Sequence, residues 1–280
     1  AFNLGDLVTN ETKSLSEDDC KKLEEQNKRM VSKFKADKLE LEAKRNWDLF
    51  YKRNETRFFK DRHWSTREFS ELLSDSDETP PAKDAEKRVL FEIGCGVGNL
   101  IFPLIEFESN NFFIFACDLS PRAVEFVQQN KLYDEQRMKA FQCDITTDEV
   151  FSELSPNSVD IVTMIFILSA VHPIKFSIVF ENIFKLLKPG GLLLFRDYGL
   201  YDMAQLRFKP GSKIDENFYV RQDGTRSYYF ADQEIVKLCS ERGFETVDCN
   251  YIHRRTVNVK EGIDVPRIFV QAKFRKPKNG

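Results

Sequence analysis

The chain has 280 residues, enough for one large domain or two small ones. A hydrophobic fraction of 41% beside 31% charged residues excludes a disordered chain, and no uncharged apolar run approaches the ~18 residues a membrane-spanning helix needs. A net charge of −3 excludes a polycation, while leaving room for a local basic face that binds nucleic acid.

Residues 1–19 are acidic and polar, with neither the apolar core of a secretory signal nor the Arg-rich make-up of a transit peptide. A cytoplasmic protein is expected, with the nucleus as a second compartment and no membrane association. Residues 14–70 read as helical. Ser16 and Asp19 fit a capping box. An aromatic and basic block follows, from Asn46-Trp47-Asp48-Leu49-Phe50-Tyr51 to Phe58-Phe59-Lys60-Asp61-Arg62-His63-Trp64. From Lys28 to Arg67 there are 13 Lys/Arg against 6 Asp/Glu, a local charge of +7. The polar stretch Ser74–Ala85, with Pro80-Pro81, reads as a linker or surface loop.

From Arg88 apolar strand-like runs alternate with amphipathic stretches. The runs are Val89–Ile93, Phe112–Cys117, Ala140–Cys143, Val159–Leu168 and Leu192–Phe195. This alternation predicts a doubly wound parallel sheet covered on both faces. Phe218–Val220 and Arg226–Phe230 flank Asp223-Gly224, a hairpin signal. A helix over Asp232–Arg242 ends at Gly243. Two β-rich runs close the chain, Thr246–Ile252 and Ile268–Phe274. The six cysteines show no CxxC pair, so they read as reduced core thiols and no metal site is expected.

The chemistry gathers at the ends of the predicted strands. Gly94, Gly96 and Gly98 form a G-x-G-x-G loop between the first strand and a helix, where a ligand can approach the backbone closely. On its own this is equally an ordinary tight turn. Asp118 ends the next strand, 24 residues after Gly94, and can accept hydrogen bonds from a ribose diol. Asp144 ends the third and can read an adenine amino group while the ring packs on Ile145. Glu92 adds an acid beside the loop, which suits a cationic ligand better than a pyrophosphate. These features, with Leu187-Lys188-Pro189-Gly190-Gly191, resemble a class I S-adenosylmethionine-dependent methyltransferase over residues 88–275. The resemblance implies a Rossmann-like α/β fold with antiparallel final strands.

The methyl acceptor must come from local residues. The stretch Met164–Ser169 lacks the Asn/Asp-Pro-Pro-Tyr/Phe pattern used on exocyclic amines, and no cysteine sits where a pyrimidine C5 enzyme needs its nucleophile. A ring nitrogen needs neither, only alignment with the methyl group. In Arg196-Asp197-Tyr198-Gly199-Leu200-Tyr201, Asp197 can accept from a cytosine N4 amine. Arg196 can donate to O2, and Tyr198 or Tyr201 can stack on a flipped base. Arg196 with Asp197 is as readily a structural ion pair at a strand end. Trp47 and Tyr51, spaced i, i+4, share a helix face that can cover a sulfonium or simply pack in a core. Phe58, Phe59, Lys60, Arg62 and His63 suit single-stranded RNA or a solvated helix face. His172, before Pro173, reads as structural.

Taken together, these stretches resemble the tRNA N3-methylcytidine methyltransferases. The match adds Phe166-x-Leu168-Ser169-Ala170-Val171-His172-Pro173 and Asn217-Phe218-Tyr219-Val220-Arg221-x-Asp223-Gly224-Thr225-Arg226 to the aromatic block and the glycine loop. The resemblance implies methylation of cytidine 32 in the anticodon stem-loop of tRNA, nearest the branch acting on serine tRNAs. Some members of that branch work with seryl-tRNA synthetase. It implies cofactor contacts at Trp47, Tyr51, Gly94, Asp118, Asp144, Ile145 and Ile165, and places Arg221 and Arg226 among the RNA contacts. The expected organisation is an N-terminal helical RNA-binding and lid region (1–75), a linker (76–87) and a methyltransferase domain (88–280) with an insertion at 199–231. A protein or small-molecule acceptor, or a non-catalytic RNA scaffold, are the competing readings.

Overall fold

The computed structural model describes residues 6–58, 61–62, 64–73, 87–106, 111–258 and 263–278. The elements run β1 (Leu7–Thr9), α1 (Glu17–Asn27), α2 (Lys33–Leu41), α3 (Ala43–Asn54), α4 (Ser65–Glu68), β2 (Arg88–Ile93), α5 (Ile101–Ile105), β3 (Phe112–Asp118), α6 (Pro121–Gln128) and β4 (Met138–Gln142). They continue with β5 (Val159–Ile165), α7 (Phe176–Leu186), β6 (Leu187–Tyr198), α8 (Met203–Leu206), β7 (Lys213–Asp215), β8 (Phe218–Val220), β9 (Arg226–Tyr228), α9 (Asp232–Ser240), β10 (Glu245–Asn258) and β11 (Ile263–Arg275). The main sheet has the order β1-β10-β11-β6-β5-β2-β3-β4, and β7-β8-β9 form a second sheet. β5, β2, β3 and β4 pair in parallel, whereas β10 is antiparallel to both β11 and β1. This is the Rossmann-like arrangement that the alternation of runs predicts.

The chain divides into two compact units, neither contiguous in sequence. One comprises residues 44–164, 181–194 and 276–280. Its parallel strands are largely apolar because both faces are covered: Leu90, Phe91, Ile114, Ala116, Val162 and Met164 are buried. At its lower edge Leu187-Lys188-Pro189-Gly190-Gly191 opens β6 rather than preceding it, since Gly190 N–H donates to Lys276 O and Lys276 N–H to Gly191 O.

The other unit comprises residues 1–43, 165–180 and 195–275. Ser16 caps α1 by accepting from the Asp19 N–H at 3.1 Å, as the capping box requires. Ser32 caps α2 in the same way. α2 buries Leu39 with Val31 on Val220 of the small sheet. α1 adds a polar lock: the buried Gln26 amide donates to Gln205 O and Phe208 O and accepts from the Tyr219 hydroxyl. Glu40 joins Lys175 at 2.6 Å and the buried Arg226. The Asp223-Gly224 turn forms, with Arg221 N–H donating to Thr225 O, but the hairpin gains a third strand, β7. β1 was not legible in its acidic sequence; it forms because the long β10 offers it an antiparallel edge. The six cysteines are free thiols.

Candidate active site

The glycine loop follows β2, and Gly94, Gly96 and Gly98 all take positive φ. Gly96 is the position where this matters most. A Cβ there would meet the Tyr51 hydroxyl at 3.0 Å, and its φ of +55° disfavours side chains. Asp118, at the end of β3, fixes the loop from below. Its Oδ2 accepts from Gly96 N–H at 3.0 Å and its Oδ1 from Ser120 N–H at 2.9 Å. Burial raises its pKa to about 6 against the lowering effect of those hydrogen bonds, so it is ionised at neutral pH.

α3 closes over this loop. Tyr51 and Phe50 are buried against Val97 and Ala123, with Trp47 packed beside them. Trp47 and Tyr51 do share a face, their rings 6.2 Å apart. Asp48, between them in chain order and without a signal in the sequence, ties α3 to the start of α6. Its Oδ1 accepts from the Ser120 hydroxyl at 3.0 Å and from Arg122 N–H at 3.2 Å. An acid capping a helix N-terminus from another helix is favoured by the dipole, but nothing in sequence spacing announces it.

Glu92 lies buried at the end of β2. Its Oε2 has no hydrogen-bond partner among the described residues. Burial pushes its pKa to about 8, opposed by the Arg62 guanidinium and reinforced by Asp118. A buried carboxyl in this state favours a cationic ligand, because a positive charge would offset the cost of ionising it. Asp144 is half-buried and turns its Oδ1 to Thr146, while Ile145 beside it is buried. The side chain of Asn182 holds this loop through Ile145 O and Thr147 O. Ile165, the last residue of β5, is buried.

In the other unit, Tyr198 at the end of β6 stands in an aromatic cluster. Tyr198 lies 5.1 Å from Phe166 and 5.8 Å from Tyr229, and Phe166 lies 5.3 Å from Phe269. The guanidiniums of Arg221 and Arg267 stand 5.6 Å and 5.7 Å from the Tyr198 ring centre. The fully buried Asp202 aims Arg267, accepting its Nε–H at 2.9 Å. Phe166 holds a φ of +60°, a strained conformation for a bulky residue, and its N–H donates to Arg196 O at 2.7 Å. Phe166 was visible only as part of a motif, and Arg267, Phe269 and Asp202 carried no sequence signal, since they are brought together by β11.

Three of the charged candidates lie inside the fold. Asp197 is fully buried, and its oxygens accept from Ser169 N–H at 2.9 Å and Tyr198 N–H at 2.8 Å, so it organises the turn after β5 instead of facing an acceptor directly. Burial lifts its pKa to about 6 despite those bonds. Arg196 is also buried, donating from Nη1 to Gln271 Oε1 at 2.9 Å over the Phe269 ring, a structural position in β6. Arg226 is 5% exposed and joined to Glu40, so its charge is spent inside the fold and not offered to RNA. Tyr198, Tyr201 and Arg221 keep partial exposure. Phe58 is exposed, its ring 4.9 Å from Phe50. Phe59, Lys60 and His63 lie outside the described residues. His172 is structural, its Nδ1 accepting from Ile174 N–H at 3.3 Å.

Residues 91–193 match the family described as a methyltransferase domain. The chain is 56% identical over 267 residues to the tRNA N(3)-cytidine methyltransferase METTL6 of Rattus norvegicus, covering 95% of this chain and 91% of that protein. The chain belongs to the tRNA N(3)-cytidine methyltransferase family. The METTL6 protein of Homo sapiens is 58% identical over 248 residues, covering 89% of this chain and 85% of its own. A solved S-adenosylmethionine-dependent methyltransferase from Anabaena variabilis shares the fold at 13% identity, with a TM-score of 0.59 over 83% of this chain and 94% of its own. The family's cofactor is S-adenosylmethionine, and the loop fits it: Asp118 presents an ionised acceptor, and the buried Glu92 calls for a positive charge. Among the described residues no group of His, Cys, Asp and Glu is arranged to hold a metal, and no helix is long and apolar enough to cross a membrane.

Proposed function

We propose that this protein methylates N3 of cytidine 32 in the anticodon stem-loop of serine tRNAs. The observation that carries the acceptor side of this reading is the Tyr198 cluster, with two guanidiniums held against one partly exposed aromatic ring. Such a surface can stack a base and donate to its carbonyl oxygen.

S-adenosylmethionine supplies an electrophilic methyl group on a sulfonium. The chain's own residues hold and align. Asp118 would accept from the cofactor's ribose hydroxyls and Ile145, beside Asp144, would pack on its adenine, while Trp47 with Tyr51 covers the loop from α3. Glu92, once ionised, would offset the cofactor's positive end. Tyr198 and Phe166 orient the cytosine ring, and Arg267 and Arg221 donate to its O2 and flanking phosphate. N3 of cytosine is neutral, so no base is needed to deprotonate it; alignment is the larger demand. Asp197 is a positioning residue that fixes Ser169 and Tyr198.

Seryl-tRNA synthetase is the proposed protein partner, and the cytoplasm, with a nuclear share, the proposed compartment. Six free thiols agree with a reducing environment. The test is transfer of labelled methyl to total tRNA, followed by nucleoside mass spectrometry and mapping of the modified position, with and without the synthetase. 3-Methylcytidine at position 32 of serine tRNAs is expected. Label in another nucleoside, or in protein, overturns the reading.

A further inference from the structure

Asp48 carries a link that the cofactor contacts alone do not require. All the groups concerned lie in one compact unit. From α3, Asp48 Oδ1 accepts from the Ser120 hydroxyl at 3.0 Å and from Arg122 N–H at 3.2 Å. Ser120 in turn donates its N–H to Asp118 Oδ1 at 2.9 Å, and Asp118 Oδ2 accepts from Gly96 N–H at 3.0 Å. Gly96 lies beneath the hydroxyl of Tyr51, one helical turn on from Asp48. The contacts form a circuit that leaves α3 at Asp48, passes through Ser120, Asp118 and the glycine loop, and returns to α3 at Tyr51.

A helix cap accounts for only part of this. α6 has a cap of its own, the Ser120 oxygen accepting from Ala123 N–H at 3.3 Å, and Pro121 leaves one orphan N–H fewer to satisfy. The Arg122 N–H bond to Asp48 adds to that cap, but the bond from the Ser120 hydroxyl satisfies no helix group. The ion pair with Arg122 is weak, its Nη2 standing 3.5 Å from Asp48 Oδ2 with the two side chains 37% and 26% exposed. Asp48 is not needed to keep α3 in place either, since Phe50 and Tyr51 are buried against Val97 and Ala123. Such apolar packing is non-directional and leaves a helix free to turn or slide a little. Two directional bonds to one carboxylate oxygen fix the rotation of α3, and with it where Trp47 and Tyr51 stand over the loop.

We propose that Asp48 is a positioning residue for the cofactor, coupling the seating of α3 to the occupancy of Asp118. The Asp118 carboxylate holds Ser120 and Gly96 and must keep both while it accepts from a ribose; Asp48 keeps Ser120 in place for it. Coupling of this kind is reciprocal: the cofactor steadies α3 by the same factor by which a seated α3 tightens the cofactor. The proposal rests on the assignment of Asp118 to the ribose.

The test uses the full chain with S-adenosylhomocysteine, the cofactor without its methyl group, as probe. Calorimetry follows binding, and amide hydrogen exchange follows α3. In the unaltered protein the probe should slow exchange across α3. Asp48→Ala should weaken probe binding about 3- to 10-fold and abolish that slowing; the loss is smaller than a fully buried charged hydrogen bond would give, because Asp48 is partly exposed. Ser120→Ala keeps its N–H on Asp118 but loses the hydroxyl, and should act alike, so that the double variant loses little more than either single one. Asp48→Asn, which retains an acceptor oxygen, should restore most of the affinity and the slowing. Unchanged affinity in Asp48→Ala, losses that multiply in the double variant, or a lowered thermal midpoint with the slowing of α3 intact overturn the coupling and leave a structural cap. Absence of slowing in the unaltered protein overturns it too. Unchanged affinity in Asp118→Ala overturns the ribose assignment itself, whereas the expected loss there, with wild-type behaviour at Asp48 and Ser120, overturns the coupling alone.

Discussion

The glycine-loop cradle and the Tyr198 cluster are built on opposite plans. The cradle is made of neighbours in sequence: a loop of backbone N–H groups, one acid at the next strand end, and a helix laid over them. Its specificity lies in backbone geometry, and Gly96 tolerates nothing larger beneath Tyr51. The Tyr198 cluster draws Phe166, Arg221, Tyr229, Arg267 and Phe269 from four separate segments. Its specificity lies in side chains, aimed by a buried acid, Asp202, and strained at Phe166. A cofactor shared across a fold needs only the first plan. An acceptor particular to one family needs the second, in which distant residues can change independently of the frame.

Damage to the two regions should therefore separate. The largest effect is expected at Asp118→Ala. The cradle loses the acceptor for Gly96 and Ser120 as well as the ribose contact, and cofactor affinity by calorimetry should fall roughly 10- to 100-fold. Unchanged affinity would break the assignment of the cradle. Next is Arg267→Lys, which keeps the charge but loses the planar fork held by Asp202. Turnover on tRNA should drop about tenfold while cofactor affinity holds; parallel losses in both would erase the distinction between the regions. Glu40→Gln is a purely structural probe of the second unit. Burial raises the Glu40 carboxyl, but hydrogen bonds from Lys175 and Arg226 bring it below its ordinary value. Leaving Arg226 under-compensated should cost about 1–3 kcal/mol in denaturant unfolding. No measurable loss would show that Arg226 is solvated on opening.

The smallest effect sharpens the cradle. In the free protein Glu92 titrates near 8, so at pH 7 it is mostly protonated. A cationic ligand favours its ionised form, so binding at pH 7 releases a proton and affinity rises with pH until about 8. Calorimetry at pH 7 in buffers of different ionisation heat should detect up to about one proton released. Heats independent of buffer would place the positive charge away from Glu92.

The same contrast governs what could be read from sequence. Strand runs, the glycine loop, Asp118, the α3 face and the Asp223 turn were legible because each is set by local spacing. Arg196, Asp197 and Arg226 are legible as chemistry but not in role, since burial decides whether a charge meets a ligand or a neighbour, and burial is not local. Arg267 and Phe269 were silent, because β11 delivers them from a run that reads only as a strand.

One feature of the second unit bears on how the protein is made. Gln26 on α1 bonds Tyr219, 193 residues later, and Glu40 on α2 bonds Arg226, 186 residues later. At about 5–20 residues per second of synthesis, α1 and α2 wait roughly 10–40 s on the ribosome before their partners exist. Throughout that interval Val31 and Leu39 are uncovered. α1 and α2 are thus made long before their partners and are among the last elements to find their place, and they are the segment nascent-chain chaperones would be expected to hold.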